Sequence, residues 1–322
     1  MRLTEGQAAA RVLAFGGYQP ARVVTNEELA KSVDTSDEWI RSRVGIASRR
    51  IAGPDETLAD MAVQAGGKAL AGSGLPADDI DLVIVATCTP EVQIPNTAAT
   101  VARRLGIVAP GAYDLNAACA GFCYALANAA DAVRAGTARN VLVIGAEKLS
   151  QWVDWTDRST CIIFADGAGA AVVGPVADPG DAPGIGPVFW GSDGDLADKI
   201  YIEDRNSFIF QEGQAVFRWA TTALAPIARA ACERAGVDPK ELAAFVPHQA
   251  NLRIVEAIAR RIGAPQALVA NDIVNAGNTS SASIPLALSR MIERGEIPSG
   301  APALLVGFGA GMCYAAQVIT VP

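Results

Sequence analysis

Histidine is nearly absent from this chain of 322 residues, which contains only His248. A zinc site takes three or four His, Cys or carboxylate ligands at recognisable spacings, and neither a second histidine nor a Cys-x-x-Cys pair occurs here. Scattered cysteines in apolar segments are typical of reduced thiols in a cytoplasmic protein. The six cysteines are Cys88, Cys119, Cys123, Cys161, Cys232 and Cys313. The sequence therefore predicts no metal site and a cytoplasmic location.

Positive charge and long apolar runs are also scarce. Lys and Arg number 26 against 34 Asp and Glu, which gives a net charge of −8. Nucleic-acid binding depends on cationic side chains that neutralise phosphates, so nucleic acid is not expected as a partner. No apolar run reaches the roughly 20 residues of a membrane helix, and the N-terminal segment lacks a secretory pattern. With 51% hydrophobic residues, the chain predicts a large core in one large or two ordinary domains.

The second half of the chain repeats the order of patterns in the first half. Apolar β-branched segments typical of buried strands occur at 80–88 and 139–147, and again at 241–250 and 300–311. Helix-like segments lie between them. This order predicts an α/β fold of two duplicated β-α-β-α-β-α-β-β halves, 1–174 and 175–322. Residues 175–215, rich in Pro, Gly and Asp, are predicted to be a linker with an irregular insertion.

Within the repeat, residues 112–136 align with residues 270–295. In this alignment Asn116-Ala117-Ala118-Cys119 matches Asn275-Ala276-Gly277-Asn278, and both segments end in glycine at the same spacing. If the halves pack about a pseudo-twofold axis, Cys119 and Asn278 begin equivalent helices and face each other. A further segment, CIIFADGAGAAVVG at 161–174, is predicted to form two strands around an Asp-Gly turn.

Cys119 lies where a strand-like segment meets a helix-like one, in DLNAACAGF. Backbone N–H groups and the helix dipole at such a position favour thiolate over thiol, and a thiolate attacks thioesters well. The alternative is a core cysteine, because free cysteine usually behaves as a small buried hydrophobe. The segment by itself favours this alternative, whereas the rest of the chain favours a nucleophile.

His248 and Asn278 are the candidate partners of this thiol. His248 directly follows the strand-like segment 245–247, and Asn278 lies in the small-residue loop NAGNTS. A neutral imidazole and a carboxamide can donate hydrogen bonds to one thioester carbonyl, which would stabilise an enolate without a metal. Their ordinary roles are those of a structural histidine and a turn asparagine. The glycines of GFGAG at 307–311 let backbone N–H groups approach a ligand and supply an oxyanion-hole donor.

The most basic segment of the chain is DTSDEWIRSRVGIASRRIA at 34–52. Trp39 and Arg43 are four residues apart on a predicted helix, so they would share one face for stacking and phosphate binding. The alternative is a solvated charged face of that helix.

Six stretches together resemble the β-ketoacyl-acyl carrier protein synthase III family of condensing enzymes, which start type II fatty acid synthesis. They are DTSDEWIRSRVGI, DLNAACAGFCYAL, TDRSTCIIFADGAGAAVV, FVPHQANLRI, NAGNTSSASIPLAL and GFGAG. The single histidine separates the chain from condensing enzymes with a Cys-His-His triad. The resemblance implies a thiolase-like fold with αβαβα layers, a homodimer and no cofactor.

The resemblance also implies a reaction. Cys119 would take an acyl group from acyl-CoA, and malonyl-acyl carrier protein would then lose CO2 and attack the acyl group, giving 3-oxoacyl-acyl carrier protein. His248 and Asn278 would bind the enolate oxygen. The backbone of Cys119 and of Gly309-Ala310 would bind the oxyanion at the acyl group. The family has glycine where this chain has Ala310.

Further site residues follow from matching positions in the family. The coenzyme A site would include Trp39, Arg43 and Arg158. The acyl pocket would include Phe217 and, across a subunit interface, Ile94. Many members have phenylalanine at position 94, so we hypothesise a branched or longer primer rather than strict use of acetyl-CoA. The acidic carrier protein would contact Gln249, Arg253, Arg218, Arg260 and Arg261. For Arg260 and Arg261, a solvated helix face is an equally good explanation.

Two other functions remain open. The first is a related enzyme that primes polyketide synthesis or transfers an acyl group to oxygen or nitrogen. The second is a catalytically silent scaffold subunit, which loss of the candidate nucleophile or its partners would indicate. Cys119, His248 and Asn278 are all present, so the sequence favours a condensing enzyme.

Overall fold

The computed structural model describes residues 6–176 and 184–322. The strands are β1 (Ala10–Tyr18), β2 (Val23–Thr25), β3 (Ser48–Arg50), β4 (Leu82–Ala86), β5 (Gly111–Leu115), β6 (Val141–Lys148), β7 (Asp166–Pro175), β8 (Phe189–Gly191), β9 (Ile200–Tyr201), β10 (Phe210–Gln211), β11 (Ala244–Pro247), β12 (Leu268–Val269), β13 (Pro302–Phe308) and β14 (Tyr314–Thr320). The α-helices are α1 (Asn26–Leu29), α2 (Asp37–Val44), α3 (Leu58–Ser73), α4 (Thr97–Arg104), α5 (Gly121–Arg134), α6 (Gly213–Ala235), α7 (Leu252–Ile262), α8 (Ile273–Ala276) and α9 (Ser283–Glu293). Among these residues, no helix has both the length and the apolar character needed to cross a membrane.

Two five-stranded sheets have the same pattern of pairing. The first sheet has the order β1-β7-β6-β4-β5, and the second has the order β8-β14-β13-β11-β12. In each, the first three strands are antiparallel and the last three are parallel. The first sheet uses strands from the first half of the chain and the second sheet uses strands from the second half. The predicted duplicated α/β fold is confirmed.

The helices and sheets form five layers. One core cluster joins α5 and α9 to both sheets, so these two helices lie between the sheets. A second cluster places α3 and α4 on the outer face of the first sheet, and a third places α6 and α7 on the outer face of the second. The position of α5 follows from its sequence, since no charged residue occurs between Asp114 and Asp131. The αβαβα arrangement is confirmed.

A smaller apolar cluster lies beside these layers. It joins α1, α2 and β2 to residues 149–164 and to α8. Arg49 is fully buried next to it and donates hydrogen bonds to the carbonyl oxygen of Ile162 (2.9 Å) and to Oδ1 of Asn26 (2.9 Å). Asn26 in turn donates to Oδ1 of Asp37 at 2.8 Å, so these hydrogen bonds connect α2, which carries Trp39 and Arg43, to the loop that carries Arg158.

Residues 161–174 differ from their prediction. Residues 161–163 form a turn, and a single strand, β7, begins at Asp166. The carboxylate of Asp166 is buried and accepts hydrogen bonds from the N–H groups of Ala52 (2.8 Å) and Ser150 (2.9 Å). The predicted Asp-Gly turn was wrong because these distant donors replace the local hydrogen bonds that such a turn uses.

The predicted linker and insertion at 175–215 contains more regular structure than expected. β8 pairs with β14 at the edge of the second sheet. β9 and β10 form a short hairpin. Residues 177–183 of this predicted linker lie outside the described residues.

The register of the repeat at Cys119 differs from the predicted alignment. A short 3-10 turn precedes α5 at Ala118–Ala120, and another precedes α9 at Ser280–Ala282. Each turn begins with a left-handed residue, at φ 47° and φ 49° respectively. Matching the two turns makes Cys119 equivalent to Ser281, so its predicted equivalence to Asn278 was wrong.

The counterpart of Asn278 is Asn116. Oδ1 of Asn116 accepts the N–H of Ala118 at 3.1 Å, and Oδ1 of Asn278 accepts the N–H of Ser280 at 2.8 Å. The two helices differ in length, with 14 residues in α5 and 11 in α9. The left-handed glycines that follow both helices align as predicted. An alignment fixed at those glycines is therefore three residues out of register at the N-termini of α5 and α9.

Candidate active site

One cavity contains all three candidate catalytic side chains. It has a volume of about 820 Å³, within the usual range of small-molecule sites, and Cys119, His248 and Asn278 line it. His248 and Asn278 are buried, whereas Arg43 in the same lining is exposed, so the cavity extends from the interior to solvent. Within the described ranges, no group of three or more His, Cys, Asp or Glu side chains is arranged to hold a metal ion.

Cys119 lies in the 3-10 turn at the start of α5, as the sequence predicts. Burial raises the pKa of its thiol to about 12; the Glu147 carboxylate also raises it, and a hydrogen bond with Ser280 opposes the shift. The expectation of a lowered pKa was wrong for the unliganded protein, because the loss of solvent outweighs the helix start. The resting side chain is therefore a thiol.

His248 directly follows β11 and is neutral. Burial lowers the pKa of its imidazole to about 3. Nδ1 lies 2.7 Å from Oγ of Ser283, and the ring packs edge-on against Phe308 with 5.1 Å between ring centroids. With Nδ1 in this hydrogen bond, Nε2 is the ring nitrogen left for a ligand in the cavity.

Asn278 is positioned by its own backbone. Its N–H donates to the carbonyl oxygen of Ile163 at 3.0 Å, and its carbonyl oxygen accepts the N–H of Ala165 at 2.9 Å. Since Oδ1 accepts the N–H of Ser280 at 2.8 Å, the side-chain orientation is fixed. Nδ2 is then the group that can donate to a ligand.

The turn that follows Asn278 packs directly on the first sheet. Oγ of Ser281 lies 2.8 Å from the carbonyl oxygen of Ala86 and 2.9 Å from Oε1 of Glu147, so its one proton is shared between these two acceptors. A Cβ atom added at Gly145 would lie only 2.4 Å from the carbonyl oxygen of Ser281. Ser281 of the second half therefore packs against β4 and β6 of the first sheet, and a side chain at Gly145 would not fit there.

The predicted oxyanion hole needs one correction. The N–H of Gly309 donates to the carbonyl oxygen of Cys313 at 3.0 Å, so it is not free to bind an oxyanion. Ala310 begins a short 3-10 turn and lines the cavity, and a residue in that position has no intrahelical acceptor for its N–H. Gly309 has a steric role, because a Cβ there would lie 2.7 Å from the backbone nitrogen of Cys119.

Glu147 is a site residue that the sequence analysis missed. It is fully buried at the end of β6, and burial raises the pKa of its carboxyl group while its hydrogen bonds oppose the shift. It accepts hydrogen bonds from Oγ1 of Thr87, Oγ1 of Thr89, N and Sγ of Cys88, Oγ of Ser280 and Oγ of Ser281. The signal was a single carboxylate at the end of the apolar segment RNVLVIGAE.

Trp39 and Arg43 line the outer part of the cavity, and Arg158 lies over the Trp39 ring, so the three residues are close together as the resemblance implies. The guanidinium carbon of Arg158 is 4.7 Å from the centroid of the Trp39 ring, and that of Arg43 is 5.5 Å from it. Arg158 also donates to the carbonyl oxygen of Asp34 at 2.8 Å. An aromatic base between Arg158 and Trp39 needs about 7 Å, two ring contacts of about 3.5 Å each. Arg158 must therefore move outward for a base to enter.

The arginines assigned to carrier-protein binding fall into two groups. Arg218 and Arg253 are exposed and line the cavity, and Arg253 lies over the ring of Phe217 at 5.2 Å. Arg260 and Arg261 lie further along α7, outside the lining. Nη1 of Arg261 donates to the carbonyl oxygen of Thr221 in α6, a structural contact between the two helices.

Gln249 does not fit its assignment to carrier-protein binding. It is buried, with 1% of its surface exposed. Nε2 donates to the carbonyl oxygen of Pro247 at 2.8 Å, and Oε1 accepts the N–H of Ile273 at 3.1 Å. This assignment was wrong, because the amide is used inside the protein and supports the chain around His248.

The two residues assigned to the acyl pocket lie in different places. Phe217 lines the cavity near Arg253. Ile94 is 86% exposed and is not part of the lining formed by this chain. A role for Ile94 in the acyl pocket therefore requires a second subunit.

Comparisons with known proteins agree on one family. The sequence model of 3-oxoacyl-[acyl-carrier-protein (ACP)] synthase III matches residues 113–194, and the model of its C-terminal part matches residues 232–321. β-Ketoacyl-acyl-carrier-protein synthase III 4 of Streptomyces coelicolor is 61% identical over 97% of this chain and 98% of its own length. Among solved structures, a priming β-ketosynthase of a polyketide pathway has a TM-score of 0.95 and 45% identity, covering 100% of this chain and 98% of its own. The 3-oxoacyl-acyl-carrier-protein synthase III of Pseudomonas aeruginosa has a TM-score of 0.92 and 39% identity, covering 98% of both chains.

Proposed function

The chain belongs to the 3-oxoacyl-acyl-carrier-protein synthase III family of acyl-transferring condensing enzymes, and we propose that it joins an acyl-CoA primer to malonyl-acyl carrier protein. The reaction is a decarboxylative Claisen condensation that gives 3-oxoacyl-acyl carrier protein, coenzyme A and CO2. The observation that supports this most is the single cavity lined by Cys119, His248 and Asn278. The scheme needs no cofactor beyond the two thioester substrates, and we propose a cytoplasmic location for it.

In the first half-reaction Cys119 becomes acylated. Its sulfur attacks the thioester carbon of acyl-CoA, and the thiol proton leaves with the coenzyme A thiolate. The N–H groups of Cys119 and Ala310 donate to the oxyanion of the tetrahedral intermediate. Because burial raises the pKa of the Cys119 thiol, its attack needs a proton acceptor, and the departing coenzyme A thiolate fits this role.

In the second half-reaction malonyl-acyl carrier protein loses CO2. Nε2–H of His248 and Nδ2–H of Asn278 donate hydrogen bonds to its thioester carbonyl, where the negative charge of the enolate develops. The enolate carbon attacks the acyl-Cys119 carbonyl, a C–C bond forms, and the Cys119 thiolate leaves and takes up one proton from solvent to regenerate the thiol. A neutral imidazole suits this role, since burial lowers the pKa of His248 to about 3.

The proposed function is tested by incubating the purified chain with acyl-CoA primers and malonyl-acyl carrier protein. Release of CO2 together with 3-oxoacyl-acyl carrier protein supports it. Formation of an acyl-enzyme without any carbon–carbon product would favour acyl transfer to oxygen or nitrogen instead.

Polyketide priming is the second candidate function. The 45% identity and TM-score of 0.95 to a priming β-ketosynthase of a polyketide pathway favour it. Both functions use the same condensation chemistry, so the carrier protein distinguishes them. The same assay, run with carrier proteins of fatty acid and of polyketide synthesis, assigns the pathway by the ratio of their kcat/KM values.

We propose that Trp39, Arg43 and Arg158 bind the nucleotide end of coenzyme A. Trp39→Ala should raise the KM for acyl-CoA roughly tenfold or more, because stacking of a base on an aromatic ring is worth about 1–3 kcal/mol. Steady-state acylation kinetics measure this change. The control is acyl-pantetheine, which lacks the nucleotide and should show the same KM with both proteins. An equal rise in KM for both thioesters would contradict the assignment.

Arg218 and Arg253 are the best-placed arginines for the acidic carrier protein. Both are exposed and both line the cavity through which the malonyl thioester must enter. An exposed cationic pair at this position attracts an acidic partner even though the net charge of the chain is −8. Arg260 and Arg261 lie outside the lining, and at most extend this surface.

A homodimer is proposed from the free edge of the first sheet. β5 is the edge strand, and Tyr113 on β5 is exposed. Val92, Ile94 and Val108 are exposed close to it in the chain, and an edge strand among exposed apolar side chains is a usual pairing surface. A dimer through this edge would bring Ile94 next to the other subunit.

Ile94→Phe tests the dimer and the primer hypothesis together. If residue 94 narrows the acyl pocket of the other subunit, the variant should lose at least roughly tenfold in kcat/KM for isobutyryl-CoA relative to acetyl-CoA, since overpacking costs about 1–3 kcal/mol. Acylation rates with both primers measure this ratio, and sedimentation of both proteins reports the dimer. A monomeric wild-type protein, or an unchanged primer ratio, would contradict the proposal.

A further inference from the structure

Ser283 contacts the ring of His248 through its hydroxyl group. It is the first residue of α9 and is buried, with 2% of its surface exposed. Its Oγ lies 2.7 Å from Nδ1 of His248 and accepts the backbone N–H of Gln249 at 3.2 Å. The scheme above assigns no role to this hydroxyl group.

The hydrogen-bond partners of this hydroxyl determine its direction. A serine hydroxyl has one proton to donate and two lone pairs to accept. The backbone N–H of Gln249 can only donate a hydrogen bond, so Oγ is the acceptor in this contact. Among the described residues, Nδ1 of His248 is the only acceptor within hydrogen-bond distance of the Ser283 hydroxyl. A hydroxyl that donates to Nδ1 leaves the single proton of the neutral imidazole on Nε2, whereas the opposite direction would leave the buried hydroxyl proton without an acceptor.

We propose that Ser283 is a positioning residue that selects the Nε2–H tautomer of His248 and thereby makes it a hydrogen-bond donor for the enolate. This inference rests on the proposed function, in which Nε2–H donates to the malonyl thioester carbonyl. Without the hydroxyl, the Nδ1–H tautomer becomes accessible, and it presents a lone pair where the enolate oxygen needs a donor. Acylation of Cys119 does not depend on this tautomer.

Phe308 makes a second contact with the His248 ring, edge-on to it. The centroids of the Phe308 and His248 rings are 5.1 Å apart, and the phenylalanine side chain has no hydrogen-bonding group. Phe308 and Ser283 both hold the ring orientation, whereas of these two residues only Ser283 can form a hydrogen bond with a ring nitrogen. A purely structural role for Ser283 would affect folding and both half-reactions, but not the position of the imidazole proton.

The single histidine of the chain allows a direct measurement. Untagged protein labelled with 15N in histidine gives the ring signals of His248 only. The wild-type protein is expected to show a protonated Nε2 and an unprotonated Nδ1 from pH 5 to pH 9. Ser283→Ala should show a mixture of tautomers or a protonated Nδ1, and Ser283→Thr, which keeps the hydroxyl, should restore the wild-type signals.

Kinetics of the separate half-reactions give the second readout. Ser283→Ala should slow condensation about 10- to 100-fold, the loss found when the hydrogen-bond partner that orients a metal-bound histidine is removed, and leave acylation of Cys119 unchanged. Ser289→Ala is the matched control, because Ser289 is equally buried on the same helix and donates to Glu293 instead. It should change neither the tautomer nor either rate.

Results with the wild-type protein or with the variant would overturn the proposal. One is a wild-type protein with the proton on Nδ1, which is measurable even if Ser283→Ala fails to fold. The other is a Ser283→Ala protein that keeps the Nε2 proton, or slows acylation as much as condensation. Failure of the proposed function is separate, because full condensation activity in His248→Ala would remove the role of the imidazole and leave the tautomer measurement unaffected.

Discussion

Cys119→Ala is expected to eliminate the acyl-enzyme completely. Intact-protein mass spectrometry after incubation with acyl-CoA should show one acyl adduct on the wild-type protein and none on the variant. The reason is that Cys119 is the thiol at the start of α5, next to the two backbone N–H groups proposed to bind the oxyanion. Cys88 lines the same cavity. An acyl adduct that persists in Cys119→Ala would therefore show that Cys119 is not the nucleophile.

His248→Ala and Asn278→Ala should separate the two half-reactions. Both variants are expected to acquire the acyl group at close to the wild-type rate. Each should then slow CO2 release from malonyl-acyl carrier protein by about 100- to 1,000-fold, since each removes one donor to the developing negative charge. Rapid-quench measurement on the pre-acylated proteins reports the second step alone.

Asn116→Ala is the matched control for Asn278→Ala. Asn116 occupies the equivalent position in the first half and makes the same hydrogen bond to a left-handed residue two positions on. It also lines the cavity, but the scheme gives it no contact with the enolate. Equal losses of decarboxylation in the two variants, or loss of acylation in all of them, would contradict the division of roles.

Glu147→Leu should lower the free energy of unfolding by at least about 4 kcal/mol. The substitution leaves several buried donors from both halves without their acceptor, and each unsatisfied buried group costs about 1–3 kcal/mol. Rotation of the hydroxyl groups recovers part of this cost, because a hydroxyl can redirect its proton, whereas the N–H of Cys88 cannot. Equilibrium denaturation by guanidinium measures the change.

Two variants control for this substitution. Glu147→Gln keeps the shape and one acceptor oxygen, so it should lose less stability than Glu147→Leu. Glu233→Leu removes a carboxylate from the exposed face of α6 and should stay within about 0.5 kcal/mol of the wild-type protein. A Glu147→Leu protein as stable as Glu233→Leu would show that the buried hydrogen bonds are dispensable.

The architecture was predictable from the sequence because it depends on repeated patterns. The apolar β-branched segments became β4, β6, β11 and β13, and the uncharged segment after Cys119 became the helix between the sheets. Periodicity records which faces are buried, and burial determines the layers. The equivalent residues of the two halves were harder to predict, since α5 and α9 differ in length.

The parts of the site that were missed depend on contacts between distant residues. The role of Glu147 follows from donors at 87–89 and 280–281, which only the folded chain brings together. The raised pKa of Cys119 depends on burial, which a local helix-start argument does not include. Gln249 was assigned to carrier-protein binding through the family resemblance, although its side chain is buried and accepts the N–H of Ile273.

The tight contact between Gly145 and Ser281 has a consequence for how this enzyme adapts to different primers. The donors of the second half and the nucleophile of the first half meet across an interface that cannot open by a small hinge motion without breaking several hydrogen bonds at once. If Cys119, His248 and Asn278 act as proposed, this packing holds them in one cavity before any thioester arrives, which would reduce reorganisation in the transition state. Under the proposed function, we expect changes in primer preference to arise at the walls of the cavity rather than at the packed contact between the two halves.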